Sequence, residues 1–339
     1  GFDIWCKLEN IESGVALFSN KISEPMDMTT QMVGKLANDI ITSLKVKTVQ
    51  DVMKAPTANV EAYEYYLQGM YKWKHSDNME DNEIARGLLQ KAIELDDNLI
   101  VAKVKIGWTY YVMGDFDKAM EIYTPALKQS EELGDKYGIG ASLGNIGTVY
   151  YYKGDYDKAL DYYGRSLAIK EEIGDKLGMG SSLNNIGSVH SDKGDYDKAL
   201  DYYGRSLAIQ EELGDKRGMG SSLNNIGLVY KTKGDYKKAE EYLGRSLSIQ
   251  KEIGLKGFEL ETSTYLYLTY KHLDKEYDKN EIHSLIKETE NIEFELNYAI
   301  YQLLEDKSHL ETAYNEIQEK ASAMEDGAKF LSYPIPKAI

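Results

Sequence analysis

A stretch of 34 residues occurs twice in the middle of this chain, almost without change. Gly154–Gly187 aligns with Gly194–Gly227 at a spacing of 40 residues, and weaker copies begin at Gly114 and Gly234 in the same register. The two strong copies differ at three aligned pairs: Lys170 and Gln210, Ile173 and Leu213, Leu177 and Arg217. A fixed period of this length is typical of repeat proteins, in which each unit packs against its neighbours and the chain grows without a larger core.

Each period is predicted to form two helices. In the unit that begins at Gly178, apolar residues recur along one face of a first helix: Met179, Leu183, Ile186 and His190. Gly194 is predicted to end that helix, and Asp195 is predicted to cap the second one. The second helix is predicted to bury four residues: Tyr196, Ala199, Tyr203 and Leu207. The turn Gly214–Lys216 then leads into the next unit.

These positions resemble the tetratricopeptide repeat, which places small residues where two helices cross and aromatic residues beside them. In one unit they are Leu183, Gly187, His190, Gly194, Tyr196, Ala199 and Tyr203. The usual repeat is shorter, so the chain resembles the extended variety found in kinesin light chains and spindle-orienting adaptor proteins. The resemblance implies an all-α fold, a tetratricopeptide-repeat solenoid of antiparallel helix pairs.

The first 54 residues do not follow the repeat. Phe2–Asn10 and Val15–Ile22 are strand-like runs around a turn at Glu12–Gly14, and Met28–Leu44 has helical apolar spacing. Two strands and one helix bury little surface, so we expect residues 1–54 to be the short α/β remnant of a domain whose earlier strands precede Gly1.

The start of the chain also resembles a known bacterial arrangement, carried by Gly1–Trp5, the turn at Glu12–Gly14 and Asn59–Gly69. In it, the last strands of a TolB-like domain lead into tetratricopeptide repeats of signalling proteins with an upstream nucleotide cyclase or transcription regulator. We expect five tetratricopeptide repeats within residues 55–257, the middle ones with a 40-residue period. We expect residues 258–339 to be degenerate helical repeats that cap the array, followed by an extended tail at Tyr333–Pro336.

Charge and cysteine content limit the partners. The net charge is −16 and the pI is about 4.9, with lysines interleaved among acids, so a nucleic acid partner is not expected.

The cysteine content bears on the location of the protein. Cys6 is the only cysteine of the sequence, which excludes an internal disulfide and favours the cytoplasm. The alternative is an extracytoplasmic location, tethered by a membrane anchor upstream of Gly1. No apolar run is long enough to insert directly into a membrane.

Catalytic and metal-binding patterns are not found in the sequence. The five histidines show no metal spacing, and the glycine pairs near Gly138 and Gly178 lack the Lys-Ser/Thr ending of a phosphate loop. His190 occupies a position that is tyrosine in its neighbours, so it is predicted to be a packing residue. We therefore expect no catalytic residue, no metal and no cofactor.

A polar stripe lies opposite the apolar face of the predicted first helices. Its members are Asn145, Ser181, Asn184, Asn185, Ser188, Ser191, Ser221, Asn224 and Asn225. In tetratricopeptide arrays the first helices line the concave groove, and Asn145, Asn185 and Asn225 match the asparagine that bonds a bound peptide's backbone in the resembling adaptors. An amide suits this role because it donates and accepts at once. The alternative is that these asparagines only bond between adjacent helices.

Three features of the second helices have structural interpretations. Gly164, Gly204 and Gly244 are predicted to allow close approach of the next helix, since glycine inside a helix otherwise costs about 1 kcal/mol. Arg165, Arg205 and Arg245 are predicted to pair with nearby acids. Pro125 is predicted to be tolerated as a bend within its helix.

The sequence thus predicts a protein-protein interaction scaffold, rather than an enzyme, that holds a peptide or partner-protein segment in the groove. One alternative is a regulatory segment of a multidomain signalling enzyme whose catalytic domain lies outside these residues. Another is self-association into a structural oligomer.

Overall fold

The computed structural model describes residues 2–9, 16–24, 56–74, 79–289 and 292–322. The chain divides into two compact units, Gly1–Gly138 and Ile139–Ile339. The predicted helix at Met28–Leu44, the turn at Glu12–Gly14 and the tail at Tyr333–Pro336 lie outside the described residues.

Unit 1 begins with two antiparallel strands, β1 (Phe2–Glu9) and β2 (Ala16–Glu24). Phe2 is opposite Glu24 and Ile4 is opposite Ile22, and the register shifts between Leu8 and Glu9. The strands fall on the two runs that the sequence marks as strand-like. Their membership of a TolB-like domain stays a prediction.

The helices of unit 1 form two antiparallel pairs. They are α1 (Val60–Lys74), α2 (Met79–Leu95), α3 (Ile100–Val112) and α4 (Phe116–Leu133). Their shared core is made of small and branched side chains: Ala62, Leu89, Ala92, Leu99, Ala102 and Ile106. Pro125 lies inside α4, which continues through it as predicted.

Unit 2 is a helical-repeat solenoid. Its first helix is α5 (Lys136–Tyr152). The following helices are α6 (Tyr156–Ile173), α7 (Lys176–Asp192), α8 (Tyr196–Leu213), α9 (Lys216–Thr232) and α10 (Tyr236–Ile253). These helices form three regular pairs: α5 with α6, α7 with α8, and α9 with α10. The last four are α11 (Lys256–His272), α12 (Lys279–Glu288), α13 (Phe294–Leu304) and α14 (Lys307–Ser322).

We call α1, α3, α5, α7, α9 and α11 the first helices, and α2, α4, α6, α8 and α10 the second helices. Glycine ends elements of both kinds, because the chain adopts a positive φ that other residues avoid. Gly194 has φ +80° between α7 and α8, and Gly214 has φ +67° between α8 and α9. After Gly214, the Asp215 side chain accepts a hydrogen bond from the Gly218 N–H at 3.1 Å and caps α9. The predicted turns are therefore confirmed.

First and second helices cross at a glycine and a tyrosine. A Cβ added at Gly187 would lie 2.7 Å from ring carbons of Tyr203, and one added at Gly147 would lie 2.8 Å from Tyr163. Glycine at these positions lets the aromatic ring pack against the helix backbone. The prediction for the second helices was wrong in this respect, because a Cβ at Gly164, Gly204 or Gly244 would meet no atom within 4 Å.

The apolar core of α10 continues into the helices that follow it. One apolar cluster joins Ala239, Leu243 and Leu247 of α10 to Leu260 of α11, Ile282 of α12 and Ile300 of α13. The 40-residue period is lost after α10, but the apolar faces of α11, α12 and α13 still pack into one core with α10. In the described ranges, none of the helices has the length and apolar character to cross a membrane.

Candidate functional site: the polar face of the first helices

The predicted polar stripe lies on α5, α7 and α9 of unit 2, and we call this surface the first-helix face. Ser181 is exposed, and six members are half-buried: Asn145, Asn184, Asn185, Ser188, Ser191 and Asn225. Ser221 is also half-buried, whereas Asn224 is only 6% exposed. The fold therefore repeats these side chains from one first helix to the next, at the 40-residue spacing of the sequence.

The three asparagines of the predicted ladder have different surroundings. Asn145 and Asn185 form no side-chain hydrogen bond within the part of the chain that the structure describes. By contrast, the Asn225 amide nitrogen donates to the Asn184 side-chain oxygen at 3.2 Å. A half-buried amide has lost part of its hydration, so Asn145 and Asn185 have unused capacity to bond a ligand's backbone.

Asn224 joins α9 to α11. Its amide nitrogen donates to the Glu261 carboxylate at 3.2 Å, and its side-chain oxygen accepts from the Thr262 hydroxyl at 2.9 Å. Burial raises the pKa of Glu261, while the Asn224 hydrogen bond lowers it. Both ends of the Asn224 amide are thus engaged between helices.

Two of the serines, Ser181 and Ser188, bond within their own repeat. Ser188 Oγ donates to the Asn184 backbone carbonyl at 3.2 Å and accepts from the Tyr203 hydroxyl at 3.1 Å. Ser181 Oγ donates to the Leu177 carbonyl at 3.1 Å. Serine hydroxyls of this kind satisfy the backbone of the helix and remain at its surface.

The first helices also carry two lysines that the sequence interpretation missed. On α9, Lys231 stands in the register of Ser191 and its ammonium lies 5.4 Å from the centre of the Tyr265 ring. On α3 of unit 1, Lys105 stands in the register of Asn145, and its ammonium lies 4.3 Å from the Trp73 ring. Counting back 40 residues from Asn145 is the sequence signal that locates Lys105.

The second helices present a different surface, in which charges are paired. Arg165 lies 3.7 Å from Asp161 and stacks over Tyr162, and the next two repeats place Arg205 and Arg245 likewise beside an acid and a tyrosine. The predicted pairing of this arginine ladder is confirmed.

His190 is a packing residue, as predicted. It is 9% exposed and stacks on Tyr202 with ring centres 5.5 Å apart. Its Nδ1 lies 3.4 Å from Asp195, and the Asp195 side chain makes no capping hydrogen bond. Asp195 is the N-cap residue by position, but the predicted side-chain cap was wrong, because the neighbouring histidine draws the carboxylate away.

A depression of about 510 Å³ lies at the turn between α5 and α6. Its walls include Lys158, which pairs with Asp155 at 2.7 Å, and Lys193, which pairs with Asp157 at 2.7 Å. Both lysines are therefore already paired with carboxylates of the turn. Across the described ranges, no cluster of three or more His, Cys, Asp or Glu side chains has the arrangement of a metal site.

Comparison with known proteins agrees with this geometry. Residues 98–172 and 178–252 match the family model of the tetratricopeptide repeat. These residues are tetratricopeptide repeats. They include helices α3 and α4 and the three regular pairs from α5 to α10. The first-helix face, on α5, α7 and α9, therefore belongs to the tetratricopeptide-repeat region. No curated protein matches the chain significantly.

Several solved structures resemble the chain in fold. A Rap protein complexed with competence and sporulation factor is 18% identical with a TM-score of 0.59, over 91% of this chain and 86% of that one. The apo form of RapI is 18% identical with a TM-score of 0.55, over 80% and 93%. A signal transduction ATPase with numerous domains and a tetratricopeptide repeat sensor, from Pyrococcus horikoshii, is 18% identical with a TM-score of 0.52, over 88% and 48%. At this identity the likeness shows the fold alone.

Proposed function

We propose that this chain is a binding scaffold whose first-helix face holds an extended peptide or a segment of a partner protein. The observation that carries the proposal is the pair Asn145 and Asn185. Both are half-buried, both lack a side-chain hydrogen bond to any described residue, and they stand one repeat apart on α5 and α7. Each can donate to and accept from a peptide backbone, whatever the side chains of the ligand.

The structure of the site favours binding over catalysis. Its side chains are amides and hydroxyls, and those of Asn224, Asn225 and Ser188 already join helices within the solenoid. Such a rigid surface offers fixed donors and acceptors, which reduces the entropy lost on binding. The Rap protein of similar fold was solved with competence and sporulation factor, which supports a ligand-binding use of this kind of solenoid.

The hydrogen bonds suggest different roles for the asparagines of the first-helix face. Asn145 and Asn185 are proposed as the ligand contacts, and Asn225 is proposed to take part through its side-chain oxygen, which accepts no bond from a described residue. Asn184 and Asn224 are proposed to support the face by fixing neighbouring helices.

An affinity experiment tests this proposal. The parent, an Asn145→Ala/Asn185→Ala variant and a Gly164→Ala/Gly204→Ala control would be used to capture partners from a bacterial lysate. We expect the parent and the control to retain the same partner, because Gly164 and Gly204 lie on second helices, and we expect the asparagine variant to lose it. Equal capture by all three proteins, after circular dichroism shows equal helicity, would contradict the role of the asparagines.

We also propose a location for the chain. We propose a cytoplasmic location, because Cys6 is the only cysteine of the sequence, with an extracytoplasmic location as the alternative. The division into residues 1–54, 55–257 and 258–339, the TolB-like origin of the first part and the role in a larger signalling enzyme remain predictions.

A further inference from the structure

One lysine of unit 2 lies at the junction between two repeats without a carboxylate partner. Lys170 of α6 is half-buried, and its ammonium donates to the Ser182 hydroxyl of α7 at 2.9 Å. It forms no ion pair with a described residue. Burial lowers the pKa of Lys170 by more than the charge of Asp175 raises it. The ammonium therefore bonds to a neutral oxygen and has no anion paired with it.

Exposed lysines of the same repeats have carboxylate partners. Lys158 of α6 pairs with Asp155 at 2.7 Å, and Lys193, which follows α7, pairs with Asp157 at 2.7 Å. In both cases the hydrogen bond to the carboxylate raises the pKa of the ammonium. Because the neutral amine is the nucleophilic form of lysine, Lys170 is more reactive in this respect than either paired lysine.

Glycines make room for the Lys170 side chain. A Cβ added at Gly178 of α7 would lie 2.8 Å from Lys170 Cδ, and one added at Gly140 of α5 would lie 3.5 Å from Cγ. At Gly144, also on α5, an added Cβ would lie 3.7 Å from the ammonium nitrogen. The side chain thus runs between α5 and α7, and its ammonium ends beside Gly144.

Gly144 leaves a notch at the end of this side chain. The equivalent residues of α7 and α9 are Asn184 and Asn224, so α5 lacks a side chain that both other first helices have at this place. Gly144 is itself half-buried, which opens the notch to solvent. A small molecule can therefore approach the Lys170 nitrogen from the Gly144 side.

The next repeat junction holds a neutral group in place of the lysine. Gln210 is the equivalent of Lys170. Its side-chain oxygen accepts from the Ser222 hydroxyl at 2.8 Å, and its nitrogen donates to Ser206 at 3.0 Å. An acylated lysine is also a neutral amide, with one donor and one acceptor. Acylation of Lys170 would thus give its junction the same kind of neutral group that the next junction already accommodates.

We propose that Lys170 is an acylation site, at which a small acyl phosphate transfers its acyl group to the lysine nitrogen, and that this group occupies the notch beside Gly144. The neutral amine attacks the carbonyl carbon, a C–N bond forms, and the bond from that carbon to the phosphate oxygen breaks. One amine proton leaves with the phosphate as hydrogen phosphate, so no further reactant is needed. An acetyl group is smaller than the asparagine side chain that the notch lacks.

Acylation of Lys170 does not require a ligand on the first-helix face, so this proposal and the proposed function can fail separately. The test treats the folded full chain with acetyl phosphate and follows each lysine by peptide mass spectrometry. At neutral pH we expect Lys170 to be acetylated at least about threefold faster than Lys158 and Lys193, because a larger share of it is neutral. In urea, where the chain is unfolded, the three rates should be similar.

The pH dependence gives a second readout of the same reaction. A lysine with a lowered pKa becomes fully neutral at a lower pH, so the Lys170 rate should level off at a lower pH than the Lys158 rate. Equal or slower acetylation of Lys170 in the folded chain, or the same pH profile at both lysines, would overturn the proposal.

Variants of Gly144 test the notch. Gly144→Asn, which copies Asn184, should slow acetylation of Lys170 at least about threefold while Lys158 reacts as in the parent, because the new side chain occupies the space of the acyl group. Gly164→Ala is the matched control, since a Cβ there would meet no atom within 4 Å, and it should leave both rates unchanged.

Circular dichroism shows whether each variant folds. If Gly144→Asn loses helicity, Gly144→Ala takes its place, because it adds only a Cβ, at 3.3 Å from Ser166 Oγ and 3.7 Å from the Lys170 nitrogen. It should also slow the reaction at Lys170. Unchanged acetylation of Lys170 in a folded Gly144 variant, or the same slowing in Gly164→Ala, would reject the notch as the place of the acyl group.

Discussion

Two glycines of one repeat should respond to alanine in opposite directions. In Gly187→Ala the new Cβ would lie 2.7 Å from the Cδ1 and Cε1 atoms of Tyr203, which is far inside van der Waals contact. In Gly204→Ala the new Cβ would meet nothing within 4 Å. Both residues lie inside helices, α7 and α8, so both substitutions gain the same intrinsic helix propensity.

The magnitudes follow from these two terms. Alanine in place of glycine stabilises a helix interior by about 1 kcal/mol. Overpacking a well-filled core costs about 1–3 kcal/mol, because Tyr203 is 3% exposed and its ring has no room to retreat. We therefore expect Gly204→Ala to raise the free energy of unfolding by about 1 kcal/mol, and Gly187→Ala to lower it by up to about 2 kcal/mol.

Urea unfolding followed by far-UV circular dichroism measures both variants against the parent. Because the propensity gain is common to the two, the difference between them isolates the steric cost at the helix crossing. A melting experiment should show the same order, with roughly 2–4 °C for each kcal/mol in a unit of this size. Equal stabilisation by both substitutions would refute the account of how first and second helices pack.

Three further predictions concern polar residues. Lys170 is half-buried and donates to Ser182 at 2.9 Å, and burial lowers its pKa. Lys170→Gln, which copies Gln210, should therefore be as stable as the parent or more so at neutral pH. As pH rises from the lowered pKa of folded Lys170 towards 10.5, the parent gains stability, because its folded form has lost the Lys170 proton while its unfolded form still holds it, so the advantage of the variant should shrink. Urea unfolding at several pH values measures this change, and an advantage that stays constant with pH would contradict it. His190→Tyr should free Asp195 to cap α8 and stabilise the chain by about 1 kcal/mol, and an unchanged melting temperature would contradict this reason for the missing cap. Asn224→Ala should cost about 1–3 kcal/mol by leaving Glu261 and Thr262 without their partner, and thermal unfolding measures it; no loss of stability would show that these bonds are dispensable.

The repeat pattern predicted the helices because local and tertiary signals agree in every unit. Glycine at Gly194 and Gly214, the apolar stripe of α7 and the Gly187–Tyr203 crossing all indicate the same helix pair. Because the repeats are nearly identical, a structural role predicted for one residue can be checked at the equivalent residue forty positions away. Helices α11 to α14 were predicted for a similar reason, since their sequences keep helical apolar spacing.

The site was predicted less completely, because its properties depend on partners in the next repeat. The sequence marks Asn145, Asn185 and Asn225 as equivalent, yet Asn225 bonds to the side chain of Asn184, whereas the residue that aligns with Asn184 one repeat earlier is Gly144. A glycine offers no acceptor side chain, so the two asparagines differ. Periodicity identifies which positions share a face, but hydrogen-bond partners depend on the residue that stands opposite.

The glycines of the second helices show the same limit. Gly187 and Gly204 both lie within helical sequence patterns. Only the structure shows that Tyr203 packs against Gly187, whereas a Cβ at Gly204 would meet no atom within 4 Å. We find no packing reason for glycine at Gly164, Gly204 or Gly244.

The most direct test of a ligand-binding first-helix face is site-specific photo-crosslinking. A photoreactive amino acid would replace Ser181, which is exposed on α7, and in a second protein Gly204, which is exposed on α8. The account predicts that a partner captured in cells crosslinks through position 181, and that Asn145→Ala/Asn185→Ala reduces the adduct. Adducts that form only through position 204, or that persist unchanged in the asparagine variant, would contradict it.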